Sequence, residues 1–206
     1  MGWYADRVAP RLVSCACGAP PIAACRERVV PQARGVVLEL GFGSGLNLPH
    51  YDAGAVRCLY ALEPFEPIAR LGADRVAASP LDVRPLRAGA EAVPLPDESV
   101  DTVVATFTLC TVPDVSAALA EARRVLRPGG RVLFAEHGLA PDAGVARWQR
   151  RLQPAWGRLA GGCHLTRDVP SLLHEAGFGL DGLDQGYVPR VPRVAGYVST
   201  GTAQVQ

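Results

Sequence analysis

The chain has 206 residues, 49% of them hydrophobic and 20% charged, so it can bury one sizeable core and a single domain is expected. Its 21 basic and 20 acidic residues leave a net charge of +1, which argues against a nucleic-acid footprint or a polybasic membrane surface. The uncharged stretch 12–25 is too short and too broken by glycine and proline to span a bilayer, and no secretory signal is evident. We therefore expect a cytoplasmic protein without stable membrane insertion.

Short apolar runs alternate with helical patterns over the first two thirds of the chain. Two helical pieces are predicted up to about Val30, divided by the breaker at Gly18–Pro21. Buried strands are then predicted at 35–40, 56–63, 81–89, 99–109 and 131–137, with helices at 67–78 and 113–124. This alternation indicates βαβ crossovers, and therefore a mainly parallel sheet with helices on both faces.

The pattern changes after His137. Helices are predicted at 142–160 and 169–176, followed by two strand-like runs at 178–187 and 193–202. We expect these last two runs to form an antiparallel pair at the sheet edge, which gives a seven-stranded sheet in all.

Three glycines lie in five positions directly after the first predicted strand, in LELGFGSGLN (38–47). A glycine loop at this place lets a ligand approach the backbone at the start of the next helix. The dinucleotide pattern G-x-G-x-x-G would need a glycine where Leu46 stands, and Glu39 would oppose a pyrophosphate. Glu39 suits an amine instead, which fits S-adenosylmethionine. A second carboxylate, Glu63, ends the next strand, where it would accept both ribose hydroxyls.

These residues resemble those of the class I S-adenosylmethionine-dependent methyltransferases (methyltransferase type 11). The resemblance runs from about Gly35 to Thr202 and rests on LELGFGSG, YALEP, GAEAVPLPDESVD and EARRVLRPGGRVLFAEH. It implies a Rossmann-like α/β fold, S-adenosylmethionine as cofactor and three regions: an N-terminal helical lid (1–33), a cofactor-binding half (34–137) and a substrate-side part (138–206). Gly89 stands where the family often has an aspartate. The cofactor-binding residues implied are Glu39, Gly41, Gly43, Ser44, Gly45, Asn47, Glu63, Pro64, Ala90, Glu91 and Thr106.

Later blocks resemble the thiol S-methyltransferase branch of methyltransferase-like proteins, whose animal members methylate alkyl thiols and hydrogen sulfide. The blocks are TFTLCTV, AEHG, WQRRLQPAWGRLAGGCHLTRD and YVPRVPRVAGYV. Animal members carry an N-terminal membrane anchor, which we do not expect here. The resemblance implies a thiol acceptor. Two alternatives remain. One is methylation of nitrogen, oxygen or carbon in a lipid-like or quinone molecule, and the other is cofactor binding without catalysis.

A thiol attacks well only as a thiolate, and its ordinary pKa is about 8.5, so a base or a cation is needed nearby. His137, just after the fifth strand, is the predicted general base; the alternative is a strand-end histidine without a chemical role. Arg167 would stabilise the acceptor, or else pair with Asp168 or Glu175 on the surface. Phe107, Trp148 and Trp156 are candidates for the pocket wall. The residues predicted to bind the acceptor are Tyr51, Cys110, His164 and Arg167.

Six cysteines in a chain without a secretion signal are expected to be reduced. Cys15, Cys17 and Cys25 lack the C-x2-C spacing and the nearby histidine of zinc sites. Cys110 and Cys163 are interpreted as small packing residues, since methyl transfer needs no covalent intermediate. We expect no metal, a small-molecule acceptor and no nucleic-acid partner, and the sequence leaves the oligomeric state open.

Overall fold

The computed structural model describes residues 7–206, so the start of the predicted N-terminal helix lies outside the described residues. Seven strands form one sheet in the order β3-β2-β1-β4-β5-β7-β6. Strands β1 to β5 pair in parallel, and β7 runs antiparallel to both β5 and β6. The predicted fold class is confirmed. The strands are β1 (Gly35–Leu40), β2 (Val56–Leu62), β3 (Val83–Leu86), β4 (Val100–Thr106), β5 (Leu126–His137), β6 (Phe178–Tyr187) and β7 (Tyr197–Val205).

Helices connect the strands. Several predicted segments differ from the structure: the third strand is shorter than predicted, the fifth begins at Leu126 and not at 131, and two further segments contain a different element. The helix predicted at 67–78 is two short helices, because the chain turns at Gly72, which packs so closely on Ser44 that a Cβ would lie 2.8 Å from its backbone. The strand predicted at 193–202 begins with a helical turn and continues to Val205. The helices are α1 (Ala9–Cys17), α2 (Pro20–Val29), α3 (Glu66–Arg70), α4 (Ala73–Ala78), α5 (Val115–Val125), α6 (Ala143–Leu159), α7 (Val169–Glu175) and α8 (Arg193–Gly196), with 3-10 turns at Val30–Gln32 and Leu48–His50.

Both faces of the central strands are buried, as the near-continuous apolar runs predict. Successive residues of β4 and β5 point to opposite faces: Val103 and Phe134 pack in one core, Val104 and Leu133 in the other, and all four are fully buried. Because helices cover both faces, a ligand is expected at the carboxyl ends of the parallel strands, as in other open α/β sheets.

No helix within residues 7–206 combines the length and the apolar content needed to cross a bilayer.

Candidate active site

A cavity of about 470 Å³ opens at the carboxyl ends of β1, β2 and β4, within the size range of small-molecule sites. It brings together residues from four segments, which follow or end β1, β2, β3 and β4 and are far apart in sequence. Of the residues predicted for the cofactor, all but Gly45 line it: Glu39, Gly41, Gly43, Ser44, Asn47, Glu63, Pro64, Ala90, Glu91 and Thr106.

The three glycines of the loop all have positive φ, but only one of them faces open space. A Cβ at Gly41 would lie 2.4 Å from Oγ1 of Thr108, and one at Gly45 would lie 3.0 Å from the Phe42 ring. At Gly43 (φ +57°) the nearest atom would be 3.7 Å away, so a side chain there would enter the cavity instead. Two glycines thus serve the packing of the loop, and Gly43 leaves room for a ligand.

Glu39 is the buried anion at the floor of the cavity, only 2% exposed. Asn47 Nδ2 donates to one carboxylate oxygen (3.0 Å) and the Tyr51 hydroxyl donates to the other (2.7 Å). Asn47 is in turn held by Thr106 Oγ1 at 2.9 Å. Burial raises the pKa of Glu39 to about 7 despite these two donors. A buried carboxylate with this pKa favours a cationic ligand, which would hold it in the ionised form.

Glu63 is fixed by the backbone on both of its oxygens. Oε2 accepts the Gly43 N–H at 2.9 Å and Oε1 accepts the Phe65 N–H at 2.9 Å. Burial raises the pKa of Glu63, against the effect of these two donors. A carboxylate has about four lone-pair sites, so two remain for ligand hydroxyls at the cavity wall.

Another part of the cavity wall is formed by the segment before β4. Gly89, Ala90 and Glu91 line it, and Oε1 of Glu91 accepts the N–H of Asp114 at the start of α5 (3.3 Å). The Glu91 side chain also lies over Gly89, where a Cβ would meet its Oε2 at 2.7 Å. The position often held by an aspartate in the family is therefore occupied by the neighbouring glutamate.

Helix α1 covers the cavity with one face, through Ala9, Pro10, Val13, Ser14 and Cys17. Their spacing of one, three or four residues is that of a single helical face.

A hydrogen bond of 2.7 Å between the hydroxyls of Ser14 and Ser44 joins α1 to the glycine loop. This bond holds helix α1 in place over the glycine loop.

Arg26 on α2 is a site residue that the sequence did not indicate. It is 4% exposed, lines the cavity and stacks over the Phe107 ring at 4.9 Å. Its NH1 donates to the Cys17 carbonyl (2.7 Å), while its buried Nε has no partner among residues 7–206. A buried cation with a free N–H beside an anion at Glu39 suits a zwitterionic ligand. The sequence carried no clear signal for it, because the helix Pro20–Val29 has no pronounced apolar face and Arg26 is one of two arginines near its end.

His137, the predicted base, does not line this cavity. Its Nε2 lies 2.9 Å from Cys163 Sγ, and its ring is 6.3 Å from that of Phe107, which does line the cavity. Its neighbour Glu136 is fully buried and accepts the backbone N–H groups of three residues after β4. The geometry therefore gives no support to His137 as the base.

The four residues predicted to bind the acceptor also lie outside the cavity lining, and the reason is the direction of each side chain. Tyr51 supports Glu39 from below, and Cys110 is buried beside Cys163. Arg167 donates to the carbonyls of Leu109 and Pro113 and not to Asp168 or Glu175.

His164 is tied by its backbone N–H to the Cys110 carbonyl at 2.7 Å. Of the aromatic candidates, only Phe107 lines the cavity; Trp148 is 54% exposed, and Trp156 donates to Cys163 Sγ.

The methyltransferase domain family matches residues 38–134, which span β1 to β5. Thiol S-methyltransferase TMT1B of Rattus norvegicus is 35% identical over 144 residues, covering 69% of this chain and 59% of the relative. The chain belongs to the class I S-adenosylmethionine-dependent methyltransferases. Enzymes of this family take their methyl group from S-adenosylmethionine, so the predicted cofactor is confirmed.

Two further comparisons define the breadth of the similarity. The ubiquinone/menaquinone biosynthesis C-methyltransferase UbiE of Dinoroseobacter shibae is 33% identical over 149 residues, covering 71% of this chain and 50% of the relative. The solved S-adenosylmethionine-dependent methyltransferase of Mesorhizobium loti has a TM-score of 0.66 at 18% identity, covering 91% of this chain and 99% of that one. The chain thus spans half to three-fifths of the curated relatives, and the structural likeness shows the fold.

Proposed function

We propose that this protein methylates a small-molecule thiol with S-adenosylmethionine, whose sulfonium supplies an electrophilic methyl group. The proposal rests on the cavity, which joins the buried Glu39 and Arg26 and the half-buried Glu63 around the open backbone at Gly43. The similarity to thiol S-methyltransferase TMT1B supports a sulfur acceptor.

The residues present fit this cofactor at both ends. Glu39 accepts the ammonium group of the methionine part, and the free Nε of Arg26 donates to its carboxylate. Glu63 accepts the two ribose hydroxyls with the lone pairs that the backbone leaves free. The remaining predicted cofactor residues shape the site. Ser44, Asn47 and Thr106 hold the glycine loop and the Glu39 side chain in place. Gly41 and Gly45 form the turn of the loop, and Pro64, Ala90 and Glu91 flank the adenosine.

We propose that the three predicted regions of the chain have separate roles in the active site. The region 1–33 contributes α1 as the cover, 34–137 contributes the cofactor side, and 138–206 closes the acceptor side through the end of α6.

The acceptor enters under α1, beside Phe107 and Leu159, where the cavity wall is mainly apolar. Because His137 does not face this space, the acceptor thiol loses its proton in solution and binds as the thiolate. The site then holds its sulfur in line with the methyl–sulfur bond of the cofactor. The rate then rises tenfold per pH unit below the pKa of the acceptor thiol, about 8.5 for an ordinary one. The His137→Ala variant keeps this dependence on pH if the histidine is not the base.

The test is formation of S-adenosylhomocysteine from S-adenosylmethionine with alkyl thiols, sulfide, amines, phenols and a quinol. We expect turnover with thiols and sulfide. At a cofactor concentration near the Kd of the native chain, Glu63→Ala should lose nearly all of it, so this variant serves as the control for contaminating activity. Turnover confined to other nucleophiles would refute the thiol acceptor and keep the methyltransferase. The quinol is included because the similarity to UbiE favours carbon methylation as the second candidate.

A further inference from the structure

Two thiols and an imidazole converge behind the cavity wall. Cys110, His137 and Cys163 each present one ligand atom, and these atoms all lie within 4.8 Å of one another. The residues come from the loop after β4, the end of β5 and the loop after α6, so only the tertiary structure assembles them. The mechanism proposed above uses none of the three.

The backbone around the cluster is rigidly held. The Glu136 carboxylate accepts the N–H groups of Thr108 (2.7 Å), Leu109 (2.9 Å) and Cys110 (3.3 Å), which fixes the loop that carries the first thiol. The His164 N–H donates to the Cys110 carbonyl at 2.7 Å, which ties the segments of the two cysteines together. The thiols are therefore held beside one another before any ligand binds.

The cluster also leaves polar atoms unsatisfied. The His137 Nδ1 is buried and has no hydrogen-bond partner among residues 7–206, while its Nε2 meets only a thiol. Cys163 Sγ accepts a hydrogen bond from Trp156 Nε1 at 3.1 Å, which holds that sulfur beside the His137 ring. Buried polar groups are almost always paired, so the unpaired Nδ1 calls for a water, whereas Nε2 and the two sulfurs have only one another as partners within the cluster.

We propose that Cys110, His137 and Cys163 form a binding site for a thiophilic divalent cation, with Zn²⁺ as the best match. Two thiolates and one imidazole nitrogen are ligands that zinc prefers, and a fourth position remains for water or an exogenous ligand. Binding releases one proton from each thiol and forms two Zn–S bonds and one Zn–N bond. Zinc distances of about 2.3 Å to sulfur and 2.0–2.1 Å to nitrogen require the 2.9 Å contact between Nε2 and Sγ to widen by roughly half an ångström.

The position of the cluster links metal binding to the cavity. Thr111, next to Cys110, lines the cavity, and so does Gly161, two residues before Cys163. A cation held by both cysteines would join these two parts of the wall. Because a ligand that binds only the folded state stabilises it, zinc should raise the melting temperature of the protein.

The experiment uses the full chain, reduced with a phosphine and freed of metal by a chelator, with neither S-adenosylmethionine nor acceptor present. We expect one Zn²⁺ per chain in competition with a chromophoric chelator, and a Co²⁺ derivative with thiolate-to-cobalt charge-transfer bands. Cys163→Ser and His137→Gln should each weaken zinc binding by roughly 100-fold or more. Cys58→Ser, which alters a buried cysteine of β2 outside the cluster, is the matched control and should bind zinc normally.

The proposal would be overturned if the native chain bound zinc at less than one ion per chain. It would also be overturned if Cys163→Ser and His137→Gln bound zinc as tightly as the native chain does. If Cys163→Ser does not fold, His137→Gln and the cobalt spectrum of the native chain decide. If the reduced protein binds no zinc and the unreduced protein contains a Cys110–Cys163 disulfide, the two cysteines are a redox pair and not a metal site. Since no methyl transfer is measured, failure here is separate from failure of the proposed function.

Discussion

Changing Glu39 to glutamine should remove a proton-linked step from cofactor binding. The folded-state pKa of Glu39 is about 7, against 4.5 for the exposed group. Between these values the folded state holds a proton that the unfolded state has lost, so stability falls as pH rises from about 4.5 to about 7, by roughly 3 kcal/mol in total. An ammonium ligand needs the ionised form, so binding below pH 7 must expel that proton.

The size of the effect follows from the same pKa. At pH 5.5 only about 3% of Glu39 is ionised in the free protein, so the affinity for S-adenosylmethionine should be about 30-fold weaker than the value extrapolated to the fully ionised form. Calorimetry between pH 5.5 and 7 should show log Kd changing by nearly one unit per pH unit well below 7, with close to one proton released at pH 5.5. Glu39→Gln should bind weakly with no such slope.

Tyr51→Phe is the matched control, because it removes the 2.7 Å donor to Glu39 and leaves the ring in place. Losing that donor raises the pKa of Glu39 further, so the fall in affinity should begin at a higher pH. A native chain whose affinity is flat over this range, or a glutamine variant with the native slope, would refute the assignment of Glu39 to the ammonium group.

Three further predictions concern the same cavity. Glu63→Ala should weaken S-adenosylmethionine binding about 100-fold, as expected for lost hydrogen bonds to a charged acceptor, with a native circular dichroism spectrum; unchanged affinity would remove the ribose assignment. Gly43→Ala should lower the free energy of unfolding by about 1–2 kcal/mol and remove most of the cofactor affinity. Gly41→Ala should lose more stability, because its Cβ would clash with Thr108, and equal denaturation midpoints for the two variants would contradict this. Arg26→Met should raise the Kd for S-adenosylmethionine at least tenfold with partial recovery in Arg26→Lys, and a native Kd in Arg26→Met would exclude the carboxylate contact.

The fold and the cofactor side were predictable because their signals are local. A buried strand, a glycine loop and a following acid are adjacent in sequence, and the parallel sheet then places all such loops at one edge. The same reasoning failed at Gly72 and at Arg193–Gly196, where contacts with distant segments decide the backbone. It also did not reveal the contact of Tyr51, which lies near the glycine loop in sequence and donates its hydroxyl to Glu39.

The sequence by itself determined the family, the sheet and the cofactor, because those depend on short patterns of residue type. Only the tertiary structure decided what surrounds each side chain. It brought Arg26 from the second helix to the cavity, and it placed His137 beside Cys163 and outside the cavity lining. It also assembled Cys110, His137 and Cys163, whose spacings of 27 and 26 residues carry no metal-binding pattern. Side-chain direction and contacts between distant segments depend on packing, which no short stretch of sequence specifies.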